Sequence, residues 1–359
     1  MDGWLKRAGR VCGVLPGLVQ ALLVVVAQTV LAQVALMPTA HAQAPEKKDV
    51  HIAVGGKASF YYLPLTIAEQ LGYFREEGLV VKISDFAGGS TALQAVVGGS
   101  ADVVSGAYEH VINLQAKKQI FTAFVLQGQA PQIAVGIATA KAANYRSPRD
   151  LKGLKIGVSA PGSSTNMVVN YLIGREGLKP SEVAIIGVGT AAGAVAAFRS
   201  GQIDAISNIE PVMTRLEQAG GIQIIADART MKGTERIFGG PMPAACLYAP
   251  VEFLQRYPAT TQALANAIVR ADQWIQRATP QDVLKTVPEA YLGGDKALYL
   301  FAFGRVREAF SPDGLFTEAG VRTTLKVLPT FNTEVDPAKI QLDRTWTNTY
   351  ASKANVQYH

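Results

Sequence analysis

Beyond Lys48 the chain alternates between two hydrophobic patterns. Short apolar runs bounded by glycine, proline or polar residues read as buried strands, and stretches with apolar residues three and four apart read as helices. In the first half the runs fall at 51–54, 79–86, 102–105 and 120–126. Between them lie a helix carrying Leu63, Leu65, Ile67, Ala68 and Leu71, another running from 88 to 97, and a third at 108–117. After Ser147-Pro148-Arg149-Asp150 the alternation restarts, with strands at 155–159, 183–187, 203–207 and 222–226 and helices at 164–173, 191–199 and 211–218. A strand at 244–248 follows, and the remainder (251–257, 260–277, 281–287, 296–307 and 317–328) is helical. Strands alternating with short helices predict an α/β fold with parallel-rich sheets and flanking helices.

The two series also share words. Glu77-Gly78-Leu79 recurs as Glu176-Gly177-Leu178, and Thr91-Ala92 as Thr190-Ala191. Gly99, Asp102 and Ser105 recur at the same spacing as Gly201, Asp204 and Ser207. Short identities are easy to find in an Ala/Gly-rich chain, but their preserved order points to two similar lobes. The expected division is 43–139 plus 241–359 for a discontinuous first lobe and 140–240 for the second. The strand at 244–248 returns to the first lobe, the C-terminal helices wrap it, and Trp274 and Trp346 serve as packing residues there.

Composition narrows the class. The chain has 359 residues, 48% of them hydrophobic, which suits a buried globular protein of about two domains. Its formal net charge is +6. No Lys/Arg block stands out after Lys48, so no nucleic-acid partner is expected. Lys6, Arg7 and Arg10 precede an uncharged stretch, 11–37, and Ala40-His41-Ala42 supplies small residues in an A-x-A pattern. Residues 1–42 therefore read as a signal peptide cleaved before Gln43; retention as a membrane anchor is the alternative. Cleavage removes Cys12 and leaves Cys246 alone, so an exported chain without disulfides points to a bacterial periplasm.

Candidate chemistry lies in loops at the ends of the predicted strands. Loops 55–62, 88–91, 162–165 and 187–190 should converge on a cleft between the lobes, where ligand pockets form. Gly89, Ser90 and Thr91, and Gly162, Ser163, Ser164 and Thr165, open helices whose N–H groups and dipoles suit an anionic or polar group. Ser59, Phe60, Tyr61 and Tyr62 offer a hydroxyl and apolar ring area. Tyr108-Glu109, and Asn208 with Glu210, follow the two repeated Asp-x-x-Ser strands. Each of these also has a plain structural role available, as a cap, a turn or a core ring. Gly187-Val188-Gly189-Thr190-Ala191-Ala192 fits a dinucleotide fingerprint but sits on the second strand of its lobe, so no cofactor is expected. The histidines beyond the leader are His51, His110 and His359, without metal-ligand spacing. Ser159 is outside any nucleophile elbow and Cys246 lies in an apolar strand, so nothing in the pattern asks for an enzyme.

In this order over some 300 residues, several segments carry a family resemblance. They are Pro64 to Phe74 (PLTIAEQLGYF), 77–81, Gly88-Gly89-Ser90-Thr91, 99–103, 151–158, 162–165, 201–205 and Glu210-Pro211. The chain resembles the periplasmic substrate-binding proteins of ABC importers, nitrate/sulfonate/taurine type, related to the thiamine-pyrimidine synthesis proteins. The resemblance implies two lobes joined by two crossing segments, expected near 136–141 and 239–245. It also implies a small-molecule ligand between the lobes and docking on a membrane permease with its ATPase. A monomer is expected. An enzyme of pyrimidine synthesis on the same fold, or a membrane-tethered sensory protein, are the competing readings.

Overall fold

The computed structural model describes residues 44–358; the expected leader, 1–42, lies outside them. The strands are β1 (Asp49–Gly55), β2 (Val80–Phe86), β3 (Val103–Ala107), β4 (Phe121–Leu126), β5 (Ile133–Ala138), β6 (Lys155–Val158), β7 (Ala184–Gly187), β8 (Ala205–Ile209), β9 (Ile222–Ala228) and β10 (Ala245–Pro250). They form two five-stranded sheets, ordered β2-β1-β3-β10-β4 and β7-β6-β8-β5-β9. In the first, β1 runs parallel to β2 and β3, whereas β10 is antiparallel to β3 and β4. In the second, β6 runs parallel to β7 and β8, whereas β5 is antiparallel to β8 and β9.

The sheets are thus built on one plan, with β10 and β5 in equivalent places. Each antiparallel strand is the first one the chain forms after passing from the other sheet. The passage out runs over 127–132, not over 136–141 as expected. Gly136, expected at the start of a crossing segment, lies inside β5. A Cβ there would fall 2.4 Å from Ile222 Cδ1, so the glycine admits the Ile222 side chain from β9. The return runs through helix Met231–Phe238 and then 239–244, close to the expected position.

Burial separates the two edges of the first sheet, β4 covered and β2 open. Every residue of β3 and β4 is buried, as are most of β1 and β10, while edge strand β2 leaves Val80 exposed. Helices Pro258–Arg277, Lys296–Val306 and Glu318–Val327 contribute Leu264, Ile268, Phe303 and Val321 to the same apolar cluster as β1, β3, β4 and β10. Trp274 and Trp346 pack on that cluster partly buried. It reaches across the cleft into Met167, Tyr171 and Leu172 of helix Ser164–Arg175, while two smaller clusters serve the faces of the second sheet. Among the described residues, no helix is long and apolar enough to cross a membrane.

Candidate functional site

The end of β1 is shaped by close approach. A Cβ on Gly55 would fall 2.2 Å from the Gly88 carbonyl carbon, so only glycine lets the loop after β2 lie against the strand. That loop opens helix Gly89–Val97 directly opposite the start of helix Ser164–Arg175. The two starts meet. Ser90 N donates to Ser163 Oγ at 3.0 Å, Ser90 Oγ donates to the Pro161 carbonyl at 2.9 Å, and the two hydroxyls lie 3.1 Å apart. Ser163 sits at the N-cap position yet does not cap its own helix with its side chain. Its oxygen instead faces the first turn of the opposing helix, the place where such a turn receives an acceptor.

A cavity of about 20 Å³ lies at this junction, lined by Tyr61, Tyr62, Gly89, Ile133, Ser159, Ser163, Ser164, Thr165 and Ile209. It has room for about one water. A second cavity, about 520 Å³, opens on one flank of the junction between helices Gly89–Val97, Glu109–Ala116 and Ser164–Arg175. Ser90, Glu109, His110, Gly162, Asn166 and Asn170 are among its lining residues. Of the residues expected from sequence to bind ligand, Tyr61, Gly89, Ser90, Gly162, Ser163, Ser164 and Thr165 therefore come together between the sheets.

The others have structural partners instead. Phe60 is fully buried against Tyr299, ring centroids 4.4 Å apart, because its position on the turn points inward. Tyr108 is buried too, its hydroxyl 2.6 Å from Thr345 Oγ1 and its ring against Phe316. Ser59 spends its hydroxyl on the Gly56 carbonyl (2.7 Å), and Thr91 returns its own to the Gly88 carbonyl (2.7 Å). Asn208 donates to the Gly189 carbonyl at 3.0 Å and accepts from Ile209 N at 2.9 Å. Glu210 is fully taken up by protein partners: Oε1 accepts from Arg229 Nη1 at 2.8 Å and Oε2 from Thr214 N at 2.9 Å. Sequence reasoning passed over His110 and Asn166. Their only signal was position, since His110 follows Glu109 just beyond β3 and Asn166 lies in the first turn of the second lobe's helix.

Electrostatics sets protonation here. Burial, reinforced by the nearby Glu109 carboxylate, holds the phenols of Tyr61 and Tyr62 far above their ordinary range, so both stay neutral. Burial lowers His110, against the opposing pull of Glu109 and the Gly162 carbonyl, so the imidazole is neutral. Burial also raises the Cys246 thiol, with Glu109 adding to the effect, which makes it an unreactive core residue. The opposite flank of the cleft is closed by charge. Arg229, 1% exposed, reaches Glu210, Glu217 and Asp227, and Arg305 from helix Lys296–Val306 meets Glu217 from across the cleft. No group of three potential metal ligands occurs among the described residues.

Known proteins share the sequence pattern and the fold. The family model described as "NMT1-like family" matches residues 43–287. A solved structure of a protein from Bordetella bronchiseptica RB50 is 59% identical, covers 88% of this chain and 99% of its own, and superposes with a TM-score of 0.86. The alkanesulfonate-binding protein SsuA from Xanthomonas axonopodis pv. citri, bound to MOPS, is 17% identical with a TM-score of 0.64, covering 85% of this chain and 99% of its own. The Bacillus subtilis (strain 168) protein YtlA, named as a candidate binding protein, is 23% identical over 275 residues, 72% of this chain and 77% of that one.

Proposed function

Since the chain belongs to the NMT1-like family, we propose that it is the extracytoplasmic solute-binding subunit of an ABC importer, capturing a small polar or anionic organic ligand by closure of its two lobes. The observation that carries the reading is the meeting of two helix starts from opposite sheets at Ser90 and Ser163, beside a cavity lined from both sides. Contacts made by both lobes at once exist only when the lobes are together, so a ligand that uses them shifts the population toward closure. A sulfonate-like or carboxylate-like group, or the acceptor edge of a heteroaromatic ring, would take over the role that Ser163 Oγ plays toward Ser90 N. Tyr61 and Tyr62, which pack edge-to-face with centroids 4.9 Å apart, would meet its apolar part.

The signal-like segment 1–42 supports export to the periplasm; the reading is completed by a free monomer that docks on a permease and its ATPase at the inner membrane. Calorimetry and thermal shift across sulfonates, carboxylates, nitrate and heteroaromatics test the reading, because a ligand that binds only the folded protein raises the melting temperature. Ser90→Ala and Ser163→Ala should each weaken the ligand found this way while leaving the unliganded protein folded. Unchanged affinity in both variants would overturn the placement of the site. Turnover of a bound compound, followed by mass spectrometry, would replace the binding role with an enzymatic one.

A further inference from the structure

The flank cavity of about 520 Å³ contains an unusual pair of side chains. Glu109 and His110 are 2% and 4% exposed, yet Glu109 Oε1 and His110 Nε2 close no hydrogen bond among the described residues, the Gly162 carbonyl lying near the imidazole without good geometry. The other ring nitrogen of His110 is held by Tyr248 Oη at 3.0 Å, which fixes the orientation of the imidazole. Tyr61 Oη, at the small central cavity, is unpartnered as well, and Ser164 lies near it without closing a hydrogen bond. Orphaned polar atoms, each shielded from solvent, therefore lie both at the centre of the cleft and beneath its flank.

Leaving a buried carboxylate oxygen unsatisfied is costly, and removing it further from water on closure costs more. No cation among the described residues pairs with it. Lys117, on the same cavity, pairs outward with Glu334 at 3.5 Å, and His110 is neutral. A simple anion would bring no donor to Glu109 Oε1. A metal ion would need more ligands than one carboxylate and one imidazole. What satisfies the site is a group with N–H donors.

We propose that Glu109 is the recognition residue for a nitrogen of the captured solute, so that the ligand carries a protonated amine, an amidine or an amino group on an N-heteroaromatic ring. The inference rests on the solute-capture reading above and narrows its ligand class. His110 Nε2 and Tyr61 Oη flank that nitrogen or its neighbouring atoms. The end bearing an acceptor lies at the paired helix starts, and the end bearing the donor lies at Glu109.

Matched probe pairs test this in the purified protein: taurine against isethionate, β-alanine against propionate, and 4-aminopyrimidine against pyrimidine. The expected result is that at least one amino member raises the melting temperature and binds about tenfold or more tighter than its partner. Glu109→Gln should remove that preference while leaving the response to the amine-free partner in place. The wild-type pairs alone keep the proposal open to refutation if the variant fails to fold. Equal responses within every pair, or a preference that survives in Glu109→Gln, would overturn the assignment. If sulfonates and carboxylates still bind in that case, solute capture stands and only the donor subsite falls. If no probe of either kind binds, both fall.

Discussion

Glu109 and Glu210 stand just beyond equivalent strands of the two sheets, β3 and β8, and both are buried. Their surroundings are opposite. Glu210 is held by Arg229 and by Thr214 N, inside a network that continues through Glu217 and Asp227 to Arg305. Glu109 has an oxygen without a partner and borders a cavity. The duplicated plan therefore gives each lobe an acidic residue at its cleft end, and one lobe has turned it into scaffold. Burial alone does not separate the two roles; satisfaction of the carboxylate does.

The comparison can be broken most forcefully on the Glu210 side. Arg229→Met leaves Glu210 buried without its counter-charge and should destabilise the protein by about 3–5 kcal/mol in denaturant unfolding. The same network gives a pH signature. Although burial opposes it, bonding to Arg229 holds Asp227 and Glu217 below the usual carboxylate range. Their contribution is therefore present above the unfolded carboxylate values and lost as pH falls through the depressed folded ones. Acid unfolding curves of Arg229→Met should be flatter across that window than those of the wild type.

Glu210→Gln keeps the shape and removes the charge. It should cost about 1.5–3 kcal/mol, read as a lower thermal midpoint. Asp272 extends the comparison to a third carboxylate, since it is fully buried in helix Pro258–Arg277 with both oxygens unpartnered. Burial, with Asp313 adding to it, raises this group well above the usual range. The folded state then binds the extra proton, so stability falls as pH rises from the ordinary carboxylate range through the raised folded value. Asp272→Asn should stabilise the protein by about 1 kcal/mol or more at neutral pH and remove that slope. The smallest effect is expected from Glu109→Gln. With no intramolecular partner to lose, it should change stability by less than about 1 kcal/mol, or raise it, while affecting ligand choice. A large destabilisation there would mean that Glu109 is scaffold after all.

Much of the fold was legible because each element obeys its local pattern and the two series repeat one another. The strand β5 was not, because Gly136 in a short apolar run looks the same whether it gives flexibility or makes room for Ile222. The site was legible where helix starts carry Ser and Gly, as at Ser90 and Ser163. It was not legible where the answer depended on which way a side chain points. Phe60 and Tyr61 are neighbours with similar rings, yet Phe60 enters the core against Tyr299 and Tyr61 lines the cleft. Nor does any local pattern connect Glu210 to Arg229, 19 residues away.

The exchange of β5 and β10 between the sheets has a mechanical consequence. The two passages between sheets are bonded to each other: Gln127 N and Gly128 N donate to the Ala245 carbonyl, and Ala244 N donates back to the Gly128 carbonyl. Bonded in this way, they are expected to turn as one axle if the lobes close. Gln129 is also tied down, its N donating to the Ala309 carbonyl, so any torsion between the lobes is expected at 130–131 and 239–243, and the amides of Gly128 and Ala244 should exchange with solvent as slowly as those of the central strands. The same arrangement makes each half dependent on chain from the other side, so a fragment cut at residues 140 and 240 would lack β5 and could not complete its own sheet.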